Sequence, residues 1–216
     1  MEFHLPAPIR NLKDFFYHLA IVTLGILIAL GLEQIVEAHH RAKIGRSSVE
    51  SFRRELQDNR ERVKEILATL PKSRAQIDAE IAQLAALGDA VAKAPAPIDY
   101  PDLHFLLMSS AAWDTAIATQ ALYYIPAEDA KRFSRAYGAF AVFMNEERTG
   151  VAAWQDLRRF GQDAGVLTPA QRRDFIEQLH RYESYTYVVE MIGQGTLQDC
   201  ERALGSSAAA APGSTQ

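Results

Sequence analysis

Two Glu-x-x-His pairs, Glu37/His40 and Glu177/His180, are the groups whose types and spacing come closest to a recognised chemistry. On a helix, residues three apart share a face. Two such pairs on facing helices, with two further carboxylates, build the di-metal site of ferritin-like bundles. The signal is weak, because glutamate and histidine are common and His40 closely follows a long apolar run, whereas a di-metal site belongs inside a bundle. Solvated helix surface is the simpler expectation for both pairs, and His39-His40 beside Arg41 and Lys43 suits a layer of lipid headgroups. Cys200, the one cysteine, has no histidine close to it in sequence and falls on an apolar helical face, where a lone thiol acts as a small hydrophobe. Tyr182, Tyr185 and Tyr187 point in different helical directions. One or two of them belong in a core and the rest on a surface, with an aromatic ligand pocket as the alternative. The sequence therefore predicts no catalytic, cofactor-binding or metal-ligating residue and no cofactor, and the chain reads as a non-enzyme.

Composition sets wider limits. A chain of 216 residues suggests one domain with appendages. With 48% hydrophobic and 23% charged residues it can build an ordinary core. A net charge of −4 leaves no footprint for nucleic acid, whose partners are usually basic. A single cysteine excludes a disulfide within the chain, which argues against a disulfide scaffold but not against the periplasm.

The elements that would position these groups begin with an anchor. From Phe15 to Leu32 the chain reads FFYHLAIVTLGILIALGL, with His18 its only strongly polar residue and Asp14 and Glu33 closing it. As a helix it spans roughly 27 Å, close to the hydrocarbon thickness of a bilayer. In lipid the backbone must bond to itself, which requires a helix. A buried core helix would be shorter and carry a polar stripe. A cleaved signal peptide would have a shorter apolar part and a better cleavage site than Ala29-Leu30-Gly31. Residues 15–36 are thus read as an uncleaved single-pass transmembrane segment after a tail, 1–14. The basic flanks nearly balance: Arg10, Lys13 and the α-amino group on one side, Arg41, Lys43 and Arg46 on the other. A short basic tail stays readily in the cytoplasm, so the soluble domain is placed outside it. Gly25 and Ala29 have the small-xxx-small spacing that lets two membrane helices approach closely.

Helical periodicity continues past the anchor. Ile28, Ile35, Ala42, Val49, Leu56, Val63, Leu70, Ile77, Leu84 and Val91 recur every seventh position and are all apolar. The companion row, three residues on, is small near the membrane (Gly31, Ala38, Gly45) and mixed beyond it (Phe52, Asn59, Ile66, Ser73, Glu80, Leu87). A strict coiled coil wants both rows apolar, so a long amphipathic helix lying on a bundle is expected, running on from the anchor. Asn59 on the apolar register suggests a buried hydrogen bond that fixes helix partnering. Pro71, followed by the capping-box form Ser73-Arg74-Ala75-Gln76, favours a break near 71–73 over one continuous bent helix. Residues 94–101, APAPIDYP, mark a loop. Leu103 to Ile125, with Trp113 and no Lys or Arg, reads as buried helix, its Asp and His making a second membrane pass costly.

Pro126 opens a helix with Phe133, Tyr137, Phe140, Met144, Val151 and Trp154 on one face, ended by Gly161 and Gly165. Thr168-Pro169-Ala170-Gln171 starts the last helix, which runs to about Leu204. Its apolar face comprises Phe175, Leu179, Tyr182, Thr186, Val189, Gly193, Thr196 and Cys200. The tail, 205–216, is low-complexity and expected to be disordered. No strand is expected. The fold class is all-α, with a transmembrane helix continuing into a long amphipathic helix and an antiparallel helical bundle over 37–204.

Leu24-Gly25-Ile26-Leu27-Ile28-Ala29-Leu30, with Glu33-Gln34 and Glu37 behind it, resembles the N-terminal anchor of a group of uncharacterised bacterial membrane proteins, a domain of unknown function. Glu55-Leu56-Gln57-Asp58-Asn59 resembles the E-L-x-x-N segment of their juxtamembrane helix, and Trp113-Asp114-Thr115-Ala116 with Thr119 a tryptophan-led helix further along. The chain departs from that pattern at Ile35-Val36, where the group often has Trp. The resemblance implies a bacterial inner-membrane protein and supplies no activity. The resulting expectation is a membrane-anchored interaction or scaffolding protein. Its partners would be the bilayer, through residues 15–36, and a second copy or another membrane protein. The rivals are an extracytoplasmic ligand-binding or sensor domain and, behind it, a di-metal helical-bundle enzyme.

Overall fold

The computed structural model describes residues 12–88, 90, 92–93, 108–163 and 166–205. The loop 94–101, the N-terminal tail to residue 11, residues 103–107, Val91 and the tail beyond 205 lie outside the described residues. The molecule is all-α in its architecture. Helix α1 runs from Leu12 to Ala86, α2 from Ala111 to Ala118, α3 from Ala127 to Asp163 and α4 from Pro169 to Gly205. A 3-10 turn, Ala121–Tyr124, joins α2 to α3.

Helix α1 alone is on the order of 110 Å long. Its first part carries an 18-residue window of mean hydropathy 2.2, none of it buried, long and apolar enough to cross a membrane. The bundle begins at Gly45 and Phe52, and from there the seven-residue row goes inside: Leu56, Val63, Leu70, Ile77 and Leu84 are all buried. Helices α3 and α4 form an antiparallel hairpin. Thr196 Oγ1 donates to the Ala139 carbonyl, while Tyr185, earlier on α4, meets Gly150, later on α3. Helix α4 is antiparallel to α1 as well, with Cys200 beside Leu56 and Glu190 paired with Arg74. Phe175, Leu179, Tyr182, Thr186, Val189, Gly193, Thr196 and Cys200 are all buried, the face the spacing assigns. Thr168 and Gln171 form the expected capping box: Gln171 N–H donates to Thr168 Oγ1 at 3.3 Å and Thr168 N–H to Gln171 Oε1 at 3.0 Å.

Three expectations change. The break near 71–73 does not occur, because α1 stays helical through Pro71. An interior proline costs about 3 kcal/mol, but Leu70 and Ile77 on either side anchor two successive buried clusters against the unbroken α4. Ser73, expected as a cap, is itself buried and donates back to the Thr69 carbonyl at 3.1 Å, as Thr69 Oγ1 does to Ile66 at 2.7 Å. These back-bonds supply donors to carbonyls around the missing amide.

Second, two short strands exist: β1, Ala92–Lys93, pairs antiparallel with β2, Val166–Leu167. Two-residue strands are too short to leave a periodic signature. Arg172, buried, donates to the Ala90 carbonyl at 2.6 Å and ties this end to α4. Third, the segment expected as one buried helix from Leu103 to Ile125 is, in its described part, α2 and the 3-10 turn. Gln120 breaks it with a left-handed backbone, φ 59°, and Ile117 and Tyr123 face outward. Apolar content without a helical stripe does not say which side is covered.

Candidate functional site

Glu55 on α1 accepts hydrogen bonds from three residues on two other parts of the chain. One turn above Phe52 and one turn below Asn59, it faces the start of α2. Its carboxylate accepts from Ser109 Oγ at 2.7 Å, from the Ala112 backbone N–H at 3.0 Å and from the Tyr137 hydroxyl at 2.8 Å. Asn59, 1% exposed, completes the attachment by pairing both ways with the Ser109 backbone: Nδ2 to its carbonyl at 2.8 Å, Oδ1 from its N–H at 3.0 Å. A helix N-terminus has unbonded N–H groups and a partial positive charge, and Glu55 supplies a capping acceptor and a compensating anion from another helix.

Below this clamp sits an aromatic group. Trp113 stacks on Tyr137 with centroids 5.2 Å apart, and Phe52 packs on Trp113 at 5.4 Å and on Phe133 at 5.1 Å. Burial, then the hydrogen bond to Glu55, holds the Tyr137 hydroxyl far above the ordinary phenol range, so it stays a proton donor. The clamp therefore fixes α2 to α1 and α3; every strong polar group in it is spent on that.

A second feature lies where α1 enters the bundle. A cavity of about 820 Å³ is lined by His39, Arg46, Glu50 and Arg53 of α1 and by Tyr124 and Asp129 across from them. Arg53 Nε and Nη2 are shut off from solvent without a hydrogen-bond acceptor. Arg46 Nε donates to the Ala42 carbonyl at 3.3 Å, and Asp129 is held by Arg132 at 3.5 Å. The Tyr124 carbonyl packs directly on Gly45, where no side chain fits, and the Arg41 guanidinium lies 5.9 Å from the Tyr124 ring.

No family model, curated protein or solved structure matches this chain.

The residues with spacing suggestive of chemistry are dispersed. Glu37 pairs with Arg41 at 2.7 Å on exposed helix below the bundle, where His40 is exposed as well. Glu177 lies toward Arg181 at 4.0 Å and His180 toward Glu183 at 3.5 Å, on α4 near the opposite end of the bundle. The two Glu-x-x-His pairs are therefore not brought together. Among the described residues no group of three or more His, Cys, Asp or Glu is placed to hold a metal ion. Cys200 is buried, its thiol directed at the Leu56 carbonyl at 3.5 Å, and burial pushes its pKa up to about 11, so it is a thiol at neutral pH. Tyr182 is core, Tyr185 half-buried, and exposed Tyr187 carries the Arg74 guanidinium 4.2 Å from its ring centre. Sequence reasoning missed the convergence of Glu55, Ser109 and Tyr137, and the Arg74–Glu190 ion pair. Only the heptad position of Asn59 signalled the first, by putting an amide where an apolar side chain belongs.

Proposed function

We propose that this chain is a single-pass membrane protein whose helical bundle acts by binding or scaffolding, not by chemistry. The observation that carries the reading is the unburied apolar window of α1 and its unbroken continuation into the bundle core. A run of exposed leucines, isoleucines and valines of bilayer length has no stable place in water. The interaction half of the proposal is supported by how the polar groups are spent. Glu55 and Asn59 hold α2, Cys200 is a buried thiol, and Glu37, Glu177 and His180 each lie toward an oppositely charged neighbour on their own helix. Confinement to a membrane raises the effective concentration of a second copy or a neighbouring membrane protein. Extracytoplasmic placement of the bundle, in a bacterial inner membrane, is part of the same proposal.

Membrane fractionation with alkaline carbonate tests the anchor, and in-cell crosslinking from an introduced surface cysteine tests the partner. Full-length protein is expected to stay in the pellet and to crosslink to itself or to one membrane protein. Release into the supernatant, or a mature N-terminus beyond residue 29, would remove the anchor. A pelleted but uncrosslinked monomer would leave the ligand-binding reading in its place.

A further inference from the structure

We propose that the 3-10 turn between α2 and α3 is a second membrane contact, seating the bundle on the lipid headgroups through Tyr123 and Tyr124. The proposal rests on the anchored reading and adds where the soluble body touches the bilayer. Its first support is height. On α1 the exposed large apolar residues end at Ile35 and Val36, between the charges at Glu33 and Glu37 and at the end of the segment read as the anchor. With the hydrocarbon boundary at Val36, Arg41 stands about 7 Å above it and Gly45 about 13 Å, at 1.5 Å per residue. The headgroup layer on each side is roughly 5–8 Å deep. The Tyr124 backbone rests on Gly45, but its ring reaches down to the Arg41 guanidinium, which is itself drawn toward Glu37. That directs the ring toward the headgroup layer, below the level of its own backbone. A modest tilt toward this side, within the range usual for membrane helices, brings the rest of the turn to the same level.

The second support is composition. Tyr123 is 84% exposed, the most exposed large side chain of apolar character in the chain's described part, and Ile117 on the preceding α2 is 52% exposed. In water these are unfavourable. At a membrane interface an amphipathic aromatic ring is the favoured side chain. Arg41, Lys43 and Arg46, all exposed, rise along the same stretch of α1, and their long side chains can reach toward lipid phosphates.

The third support is backbone geometry. Gln120 adopts a left-handed conformation, φ 59°, which turns the chain so that Tyr123 projects from the bundle and not into it. Gly45 lets the turn lie against α1, since a Cβ there would collide with the Tyr124 carbonyl.

The test uses the full chain with Cys200→Ala, reconstituted into vesicles of phosphatidylethanolamine and phosphatidylglycerol. A spin label is placed in turn at Ile28, Tyr123 and Arg173, the last exposed at the far end of α4. Collision with a water-soluble nickel chelate is then compared with collision with oxygen. The label at 28 is expected to be reached by oxygen and hardly by nickel, and the label at 173 freely by nickel. The label at 123 is expected to meet nickel several-fold less than that at 173. Equal nickel access at 123 and 173, with 28 still in lipid, would overturn the seat and leave the anchor standing. Free nickel access at 28 would overturn the anchor and the seat together. Because Tyr123 and Ile28 are exposed, labelling them leaves the core intact, and circular dichroism of each labelled protein verifies this.

Discussion

Replacing Glu55 with alanine should release α2 before it unfolds the bundle. Three donors lose their acceptor. Ser109 is exposed, so water takes over its hydroxyl at almost no cost. The Ala112 N–H is half-buried at a helix start, where losing a capping acceptor costs about 0.5–2 kcal/mol. The Tyr137 hydroxyl is in the core, and an orphaned buried donor costs about 1–3 kcal/mol. Glu55→Ala should therefore cost about 1.5–5 kcal/mol in total. Tyr137→Phe keeps the ring stack on Trp113 and removes one hydrogen bond, at about 1 kcal/mol. The double variant should cost less than the sum, since both changes remove the same bond.

Trp113 reports the local event, with Trp154→Phe leaving it as the single tryptophan. In detergent, Glu55→Ala should shift Trp113 emission to the red and speed amide exchange over Ala111–Ala118, while far-ultraviolet circular dichroism shows a smaller loss of global stability. A lowered global melt with Trp113 emission and α2 exchange unchanged would refute the reasoning. So would a Tyr137→Phe cost equal to that of Glu55→Ala, which would place all the energy in one bond and none in the capping of α2.

Leu179→Ala, at a position 0% exposed, should cost about 2–5 kcal/mol, whereas exposed Arg181→Ala should stay within about 0.5 kcal/mol; equal melting shifts would show that the wrong face of α4 was assigned. Gly193→Ala should destabilise by about 1–3 kcal/mol, because the new Cβ would lie 2.7 Å from Leu67 Cδ2 and 2.8 Å from Phe143 Cε2; an unchanged urea midpoint would contradict this. Burial raises the Glu147 carboxyl to about 6, above its unfolded value, so the fold loses stability as pH rises from about 4.5 through 6 and does not regain it above. Glu147→Gln should thus raise the melting temperature at pH 7.5, by the equivalent of up to about 2 kcal/mol before solvent screening, and leave it nearly unchanged at pH 4.5. Equal gains at both pH values would show that charge is not the cause.

The elements that are one-sided over many turns were readable. The α4 face from Phe175 to Cys200 and the α1 row from Leu56 to Leu84 are buried because a repeat near 3.5 residues puts them on one stripe, and the stripe must be covered. Local caps were readable too, since Thr168 and Gln171 need only each other. Pro71 was misread because its cost is local while the opposing gain comes from α4, distant in sequence. The Glu55 clamp was hidden for the same reason: its partners Ser109 and Tyr137 lie 54 and 82 positions away, and none of the three is unusual alone. The two Glu-x-x-His pairs show the converse limit, since a local spacing says nothing about whether two helices bring the pairs together.

The continuity of α1 ties these points to the proposed role. A bundle hung from a membrane by a flexible linker samples many orientations, and the entropy lost on docking weakens each contact. Here no linker exists between Leu32 and Phe52; the chain is helix throughout. The row that packs inside the bundle, Leu56 onward, is in phase with Ile28, Ile35 and Ala42 on the exposed part of the helix. Fixing the rotation of the apolar segment, by pairing through Gly25 and Ala29 or by any other means, therefore fixes which side of the bundle faces a neighbour. The remaining freedom is tilt, and a turn carrying Tyr123 at headgroup height opposes it on one side. Proline would normally undo such a stalk by kinking it, but Pro71 sits well above the point where the bundle begins, clamped between Leu70 and Ile77 against α4. A rigid post with an oriented head suits a protein that presents one surface to a partner in the same membrane, and it makes orientation, not affinity alone, the property on which such binding depends.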